Sequence, residues 1–195
     1  MNEKGNLFIV SAPSGTGKTT VVRALLKKMR GVTRSISVTT RPPRKGEKKK
    51  NDYCFISETS FKNKVRKGEF LEWAKNFGHY YGTPKKTVYA TLKMSKDVIL
   101  TIDVKGAAQV KRKKPDSVTI FIVPPSPRAL VRRLKKRSTD GSKEIKERLK
   151  IAKKEMSFAR KYDYLIVNDK IKEAVEKLKA VITAKRCKVD KNRNR

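Results

Sequence analysis

The sequence predicts an α/β fold: a parallel sheet flanked by helices, with a β-rich subdomain inserted near its start. Three observations carry that prediction. Apolar runs at 7–10, 97–103 and 117–123 are short enough to be buried strands, 164–167 reads as the last strand, and amphipathic stretches of helical period follow them. Such alternation implies parallel crossovers. Between about 35 and 87 the rhythm breaks into short strands and few helices, which marks the insertion. A glycine-rich turn at 11–20 joins the first strand to the first helix, and the 195-residue length suits one α/β domain with inserted parts.

The first strand, 7–10, runs into Ser11-Ala12-Pro13-Ser14-Gly15-Thr16-Gly17-Lys18-Thr19-Thr20 and a helix to about Met29, with Gly31 as its C-cap. Strand, glycine-rich turn and helix form the context of a phosphate-binding P-loop. Glycines let successive N–H groups point inward around an anion, and the helix N-terminus adds its dipole. Lys18 can reach the β- and γ-phosphates and the Thr19 hydroxyl can ligate Mg²⁺. The first position of the usual pattern, normally glycine, is Ala12. An ordinary glycine-rich surface turn is the plain alternative, and the flanking strand and helix argue against it.

Residues 35–40 alternate and are β-prone, then meet Arg41-Pro42-Pro43-Arg44. The prolines stiffen the turn, so two guanidinium forks three residues apart suit a phosphate dianion; a solvated basic loop would have the same composition. A short strand at 52–56 precedes a helix at 57–67, with Ser57 as N-cap and Gly68 as terminator. In the strand 70–74, alternation turns Glu72 away from Leu71 and Trp73, into a pocket or onto an edge. The single histidine, His79, is expected in an exposed turn. Thr83-Pro84 is read as the N-cap and first residue of a helix to about Met94.

The strand 97–103 ends in Asp103, placed for substrate or hydrated Mg²⁺, or as the cap of the next helix. Ser126-Pro127 opens a helix carrying Leu130 and Leu134, with Arg132, Arg133 and Arg137 on or just after it. A polar break at 138–142 separates it from a long helix at 143–160. The strand 164–167 ends at Asn168-Asp169, and a last helix spans 171–184, followed by a frayed basic tail, 185–195.

Composition adds bounds. Two cysteines, Cys54 and Cys187, lack metal-ligand spacing and suggest a reducing compartment. No stretch reads as a signal peptide or a bilayer span, so the cytoplasm is expected and no membrane partner is. The 51 Lys and Arg against 18 Asp and Glu give a net charge of +33. That charge motivates nucleic acid as a secondary partner, but the lysines are spread along the whole chain and no nucleic-acid-binding signature accompanies them.

Taken in order, the segments 11–19, 37–44, Gly46-Glu47 with Asp52-Tyr53, 70–73, 80–83, 102–106 and 164–169 resemble nucleoside-monophosphate kinases of the guanylate kinase type over about 7–182. The resemblance implies a P-loop kinase fold with a CORE (1–34, 88–132 and 156–184), a GMP-binding subdomain (35–87) and a helical LID (133–155), leaving 185–195 as a disordered basic tail. It implies that Ala12, Pro13, Ser14, Gly15, Thr16, Gly17, Lys18, Thr19 and Thr20 bind ATP, with Asn168 near adenine. Arg41, Arg44, Tyr53 and Tyr81 would hold the GMP phosphate, and Ser37, Glu72, Thr83 and Asp103 would surround guanine. Lys18, Arg41 and the LID arginines Arg133, Arg137 and Arg148 would be catalytic. Mg²⁺ would arrive with ATP, near Thr19 and, through water, Asp103.

The implied reaction is ATP + GMP giving ADP + GDP. Its nucleophile, a GMP phosphate oxygen, is already ionised near neutral pH, so positioning and charge neutralisation do most of the work and no general base is required. Departures from the family pattern are Ala12, Thr101 in place of an aspartate, Lys105 in place of glutamine, Ser138 in place of glycine and Lys170 in place of an acidic residue. The rivals are a kinase for another phosphorylated acceptor, a non-catalytic binding module of the same family, and a basic nucleic-acid-binding protein. The retained Gly17-Lys18-Thr19 and arginines speak against the module, and a monomer or small homo-oligomer is expected.

Overall fold

The apolar runs at 7–10, 98–100 and 118–123 form strands buried on both faces, whereas in the run at 164–167 only Ile166 is buried, and residues that alternate with polar ones form a second, half-exposed sheet. A computed structural model describes residues 5–44, 46–47, 51–136 and 142–189. In chain order these form β1 (Leu7–Ser11), α1 (Lys18–Lys28), β2 (Val32–Arg34), β3 (Val38–Thr39), β4 (Cys54–Phe55), α2 (Glu58–Arg66), β5 (Phe70–Asn76), β6 (His79–Pro84), α3 (Lys85–Lys93) and β7 (Asp97–Thr101). They continue with α4 (Val104–Lys113), β8 (Val118–Val123), α5 (Pro127–Lys136), α6 (Ser142–Met156), a 3₁₀ turn (Ala159–Lys161), β9 (Tyr164–Val167) and α7 (Ile171–Arg186). Among the described residues, no helix is long and apolar enough to cross a membrane.

The chain divides into two units, Met1–Ser11 with Gly31–Thr119, and Ala12–Arg30 with Ile120–Arg195. In the first, β2, β7 and β1 pair in parallel in that order, with Leu7 opposite Val98 and Val32 opposite Asp97. Phe8, Ile9, Val10, Val98, Ile99 and Leu100 are buried there. The buried Asp97 is satisfied by the backbone N–H and side-chain amide of Asn6, at 2.7 and 3.1 Å. The β-rich insertion is a four-stranded sheet of order β4-β3-β6-β5, antiparallel except for β3 with β4. Helix α2 covers it through Phe61, stacked on Phe70 at 4.6 Å and Tyr80 at 5.4 Å between ring centroids.

In the second unit, Ile120–Val123 of β8 pairs in parallel with β9, and α1 packs along α7. Val21, Val22 and Leu25 of α1 and Ala174, Val175, Leu178 and Ile182 of α7 are buried. Leu130 and Leu134 of α5 pack against Leu149 and Ala152 of α6.

Several elements differ from expectation. The run 35–40 is not one strand: β2 ends at Arg34 and β3 begins at Val38, because the chain crosses there from one sheet to the other. Thr83 caps no helix; it is a β6 residue, and α3 begins after Pro84 without a side-chain cap. His79 is half-buried as the first residue of β6, just after a Phe77-Gly78 turn with positive φ at both positions. Helix α6 stops at Met156 and tightens to 3₁₀ geometry, the Ser157 hydroxyl donating to the Lys154 carbonyl at 2.8 Å. Helix α7 continues through Arg186, past the expected end at Ala184, so Lys185 and Arg186 belong to a helix rather than to a frayed tail. Residues 190–195 lie outside the described residues.

Candidate active site

The P-loop lies in the second unit, where residues 12–17 pass from a buried segment into α1. Gly15 and Gly17 have φ of 85° and 93°, the left-handed region that glycine adopts without strain. Space demands glycine as well: a methyl group at Gly15 would stand 2.7 Å from Leu134, and one at Gly17 2.7 Å from the Asn168 amide nitrogen. Gly17 is also the N-cap of α1 and supplies no side-chain cap, so the first-turn N–H groups face the loop. Ala12 costs nothing in backbone strain, because among the described residues the only non-glycines with positive φ are Phe77 and Ser95.

Two side chains clasp the loop from behind. Asn168, only 2% exposed, donates from its amide to the Thr16 carbonyl at 2.7 Å. Arg133 on α5 donates to the same carbonyl and to that of Asp169, both at 3.3 Å. The buried Thr16 hydroxyl and Asn168 Oδ1 have no partner, as expected of polar atoms beside a ligand site. Arg137 lies outside the described residues, and so does the Arg148 side chain, although its backbone is part of α6.

The eight residues expected around the acceptor all fall in the first unit. Arg41 is 8% exposed and forms an ion pair with Glu47 in which one terminal nitrogen donates to both carboxylate oxygens, 2.9 Å to each. Its other terminal nitrogen donates to the Pro42 carbonyl at 2.7 Å, and its guanidinium lies 5.5 Å from the Tyr53 ring and 5.9 Å from that of Phe55. Burial works against the charged form, but hydrogen bonding and attraction to Glu47 more than offset it, with help from Tyr81, and the Arg41 pKa is raised. Tyr53 and Tyr81 meet edge-on at 6.1 Å. Burial, then Tyr81, pushes the Tyr53 phenol above its ordinary value, so it stays a neutral donor at pH 7. The Arg44 side chain is exposed, and its backbone N–H donates to Glu47 at 2.8 Å.

A second group centres on Glu72, 4% exposed, whose carboxylate accepts from the Thr83 hydroxyl at 2.5 Å. The two residues are register partners across β5 and β6. Strict alternation is broken just before Glu72: a register shift between Phe70 and Glu72 leaves both Leu71 and Glu72 buried, while Trp73 is 39% exposed. Gly106 makes room for the carboxylate, since a methyl there would stand 2.5 Å from Glu72 Oε2.

Asp103 is the N-cap of α4, accepting from the Gly106 N–H at 2.8 Å through one oxygen and from the Asn76 amide through the other. Ser37 is buried just before β3, and its carbonyl accepts from the Cys54 N–H at 2.9 Å. The structure thus gathers Arg41, Tyr53 and Tyr81 around one point and joins Glu72, Thr83 and Asp103 through Gly106. Sequence reasoning missed the parts of Glu47, Asn76 and Gly106. The Gly46-Glu47 pair beside two arginines was the available signal for the first.

Mg²⁺ is compatible with the donor set. Among the described residues no group of three or more His, Cys, Asp or Glu could hold a metal, and Mg²⁺ needs none, because it keeps its waters and binds substrate phosphates. The half-exposed Thr19 hydroxyl, in the first turn of α1, is the oxygen such an ion would use.

Comparison with known proteins places the chain in a family. The family model for guanylate kinase matches residues 4–185. A guanylate kinase of Caldanaerobacter subterraneus is 46% identical over 194 residues, covering all of this chain and 94% of its relative. One from Coxiella burnetii is 47% identical over 187 residues, covering 96% and 91%. The crystal structure of guanylate kinase from Anaplasma phagocytophilum superposes with a TM-score of 0.82 at 33% identity, covering 96% of this chain and 89% of that one. With a family model along nearly its whole length and relatives close to half identical, the chain belongs to the guanylate kinase family.

Proposed function

We propose that the chain performs its family's reaction, ATP + GMP giving ADP + GDP, with the donor held by the P-loop unit and the acceptor by Arg41, Arg44, Tyr53, Tyr81, Ser37, Glu72, Thr83 and Asp103. As a family member it is a nucleoside-monophosphate kinase. In this reading 35–87 is the acceptor-binding part, 133–155 the LID, and the reaction takes place in the cytoplasm. The observation that carries the acceptor assignment is the buried Glu72 carboxylate held by Thr83. Guanine offers N1–H and N2–H₂ as adjacent donors, and a carboxylate accepts both. Adenine would set a lone pair against it, leaving a buried charge unmatched.

The chain's own groups do the rest by position and charge. Arg41, Arg44 and the two tyrosines orient the GMP phosphate, whose oxygen needs no proton removed before it attacks. Lys18 and the α1 N-terminus hold the transferring phosphate, and Arg133 lies ready on the loop backbone. Mg²⁺, when bound with ATP, neutralises phosphate charge, and the Thr19 hydroxyl would ligate it.

Glu72→Gln tests the acceptor assignment. It is expected to lower kcat/KM for GMP by about 100-fold and to erase most of the preference for GMP over IMP, which lacks the N2 amine. An unchanged GMP-to-IMP ratio in a coupled ADP-release assay would sink the guanine reading. Gly106→Ala, which sets a methyl against the Glu72 carboxylate, is expected to raise KM for GMP about ten-fold with KM for ATP unchanged.

A further inference from the structure

Helix α4 is tied to β5 by side chains that grip the backbone on both sides of Glu72. Gln109 faces Trp73 like a neighbouring strand: its Oε1 accepts from the Trp73 N–H at 3.3 Å and its Nε2 donates to the Trp73 carbonyl at 2.8 Å. Lys113 Nζ donates to the Leu71 carbonyl at 2.6 Å. Strand β5 is the edge of its sheet, so these backbone groups have no strand partner on that side. The register shift between Phe70 and Glu72 takes Leu71 off the β6 ladder and weakens the hold of the sheet where Glu72 must be placed. A third tie links the far end of β5, the Asn76 amide donating to Asp103. Gly106, Gln109 and Lys113 lie at i, i+3 and i+7 along α4, on one helix face.

We infer that Gln109, supported by Lys113, is a positioning residue for base selection: it fixes the backbone that carries the Glu72 carboxylate at the distance from α4 that guanine requires. This rests on the guanine reading of Glu72 proposed above. Gln109 acts through the β5 backbone and not by touching substrate. It replaces the missing strand, and the Gly106 gap gives the carboxylate its seat. A loosened β5 would let Glu72 shift, and a carboxylate displaced even slightly no longer meets both N1–H and N2–H₂.

The test is a double-mutant cycle on the full chain, using wild type, Gln109→Ala, Glu72→Gln and the double variant, with Lys113→Met as an independent probe of the same tie. Each is assayed for kcat/KM with GMP and with IMP, for KM of ATP and for Tm. Gln109→Ala is expected to reduce the GMP-over-IMP preference about ten-fold through KM for GMP, with KM for ATP unchanged. The same change in the Glu72→Gln background is expected to do nothing further to that preference, and Lys113→Met is expected to act in the same direction. A retained preference in Gln109→Ala and Lys113→Met overturns the inference. So does an equal loss for both nucleotides accompanied by a fall in Tm, which marks a merely structural role, and so does an undiminished effect in the Glu72→Gln background. A wild-type protein that turns over GMP and IMP equally overturns the guanine reading itself. A selective wild type and a non-selective Glu72→Gln beside an unaffected Gln109→Ala overturn only the positioning role.

Discussion

Arg41→Ala is expected to lower kcat/KM for GMP about a thousand-fold, because the acceptor phosphate loses a forked, pre-oriented guanidinium. The preorientation is visible in the structure. The side chain is almost wholly buried, braced by the Pro42 carbonyl and flanked by the rings of Tyr53 and Phe55. Little rotamer entropy is left to lose when the phosphate binds. The same variant leaves the Glu47 carboxylate without its ion pair, costing about 1 kcal/mol and a Tm drop of about 2–4 °C. Arg41→Lys is expected to recover stability better than activity, since a single ammonium cannot present the fork. Steady-state rates with GMP varied, together with a thermal melt, check both statements; normal turnover by Arg41→Ala would remove it from the acceptor site.

The second large effect is expected on the donor side. Lys18→Ala should lower kcat about a thousand-fold with the fold intact, since Lys18 opens α1 and is the cation that can reach the transferring phosphate. The first turn of α1 contains no acidic residue that could offset that charge. A coupled ADP-release assay at saturating GMP reads the loss, and circular dichroism reads the fold. A wild-type rate would mean that the glycine-rich turn is not the donor site.

Much of this architecture was legible because its signals are local. Strand, glycines, Lys18 and Thr19 adjoin in the chain, and the Ser57 cap of α2 bonds the Ser60 N–H three residues on, at 3.2 Å. Glu72 stood out as a charge in an apolar run. What stayed hidden depends on partners far along the chain. Thr83 beside Pro84 has the local chemistry of a helix start, but its hydroxyl is claimed by Glu72, 11 residues earlier. Alternation turned Glu72 away from Leu71 and Trp73 and left pocket and edge both open; that Leu71 and Glu72 are both buried could not be read, because a register shift is a property of two strands together. Gln109 grips backbone atoms, which every residue type but proline offers alike, so no composition or spacing could have announced it.

The bare start of α1 has a thermodynamic corollary. Helices α2 and α4 close their first turns with their own side chains, Ser57 and Asp103, whereas α1 opens on Gly17 and leaves that closure to something else. A side-chain cap is worth about 1 kcal/mol, and the triphosphate is the group that would supply the equivalent here. Part of what nucleotide binding releases is thus folding free energy that the polypeptide withheld from itself. Substrate and chain complete one another, and the resting protein is less robust than the working one, by an amount that grows with the logarithm of nucleotide concentration.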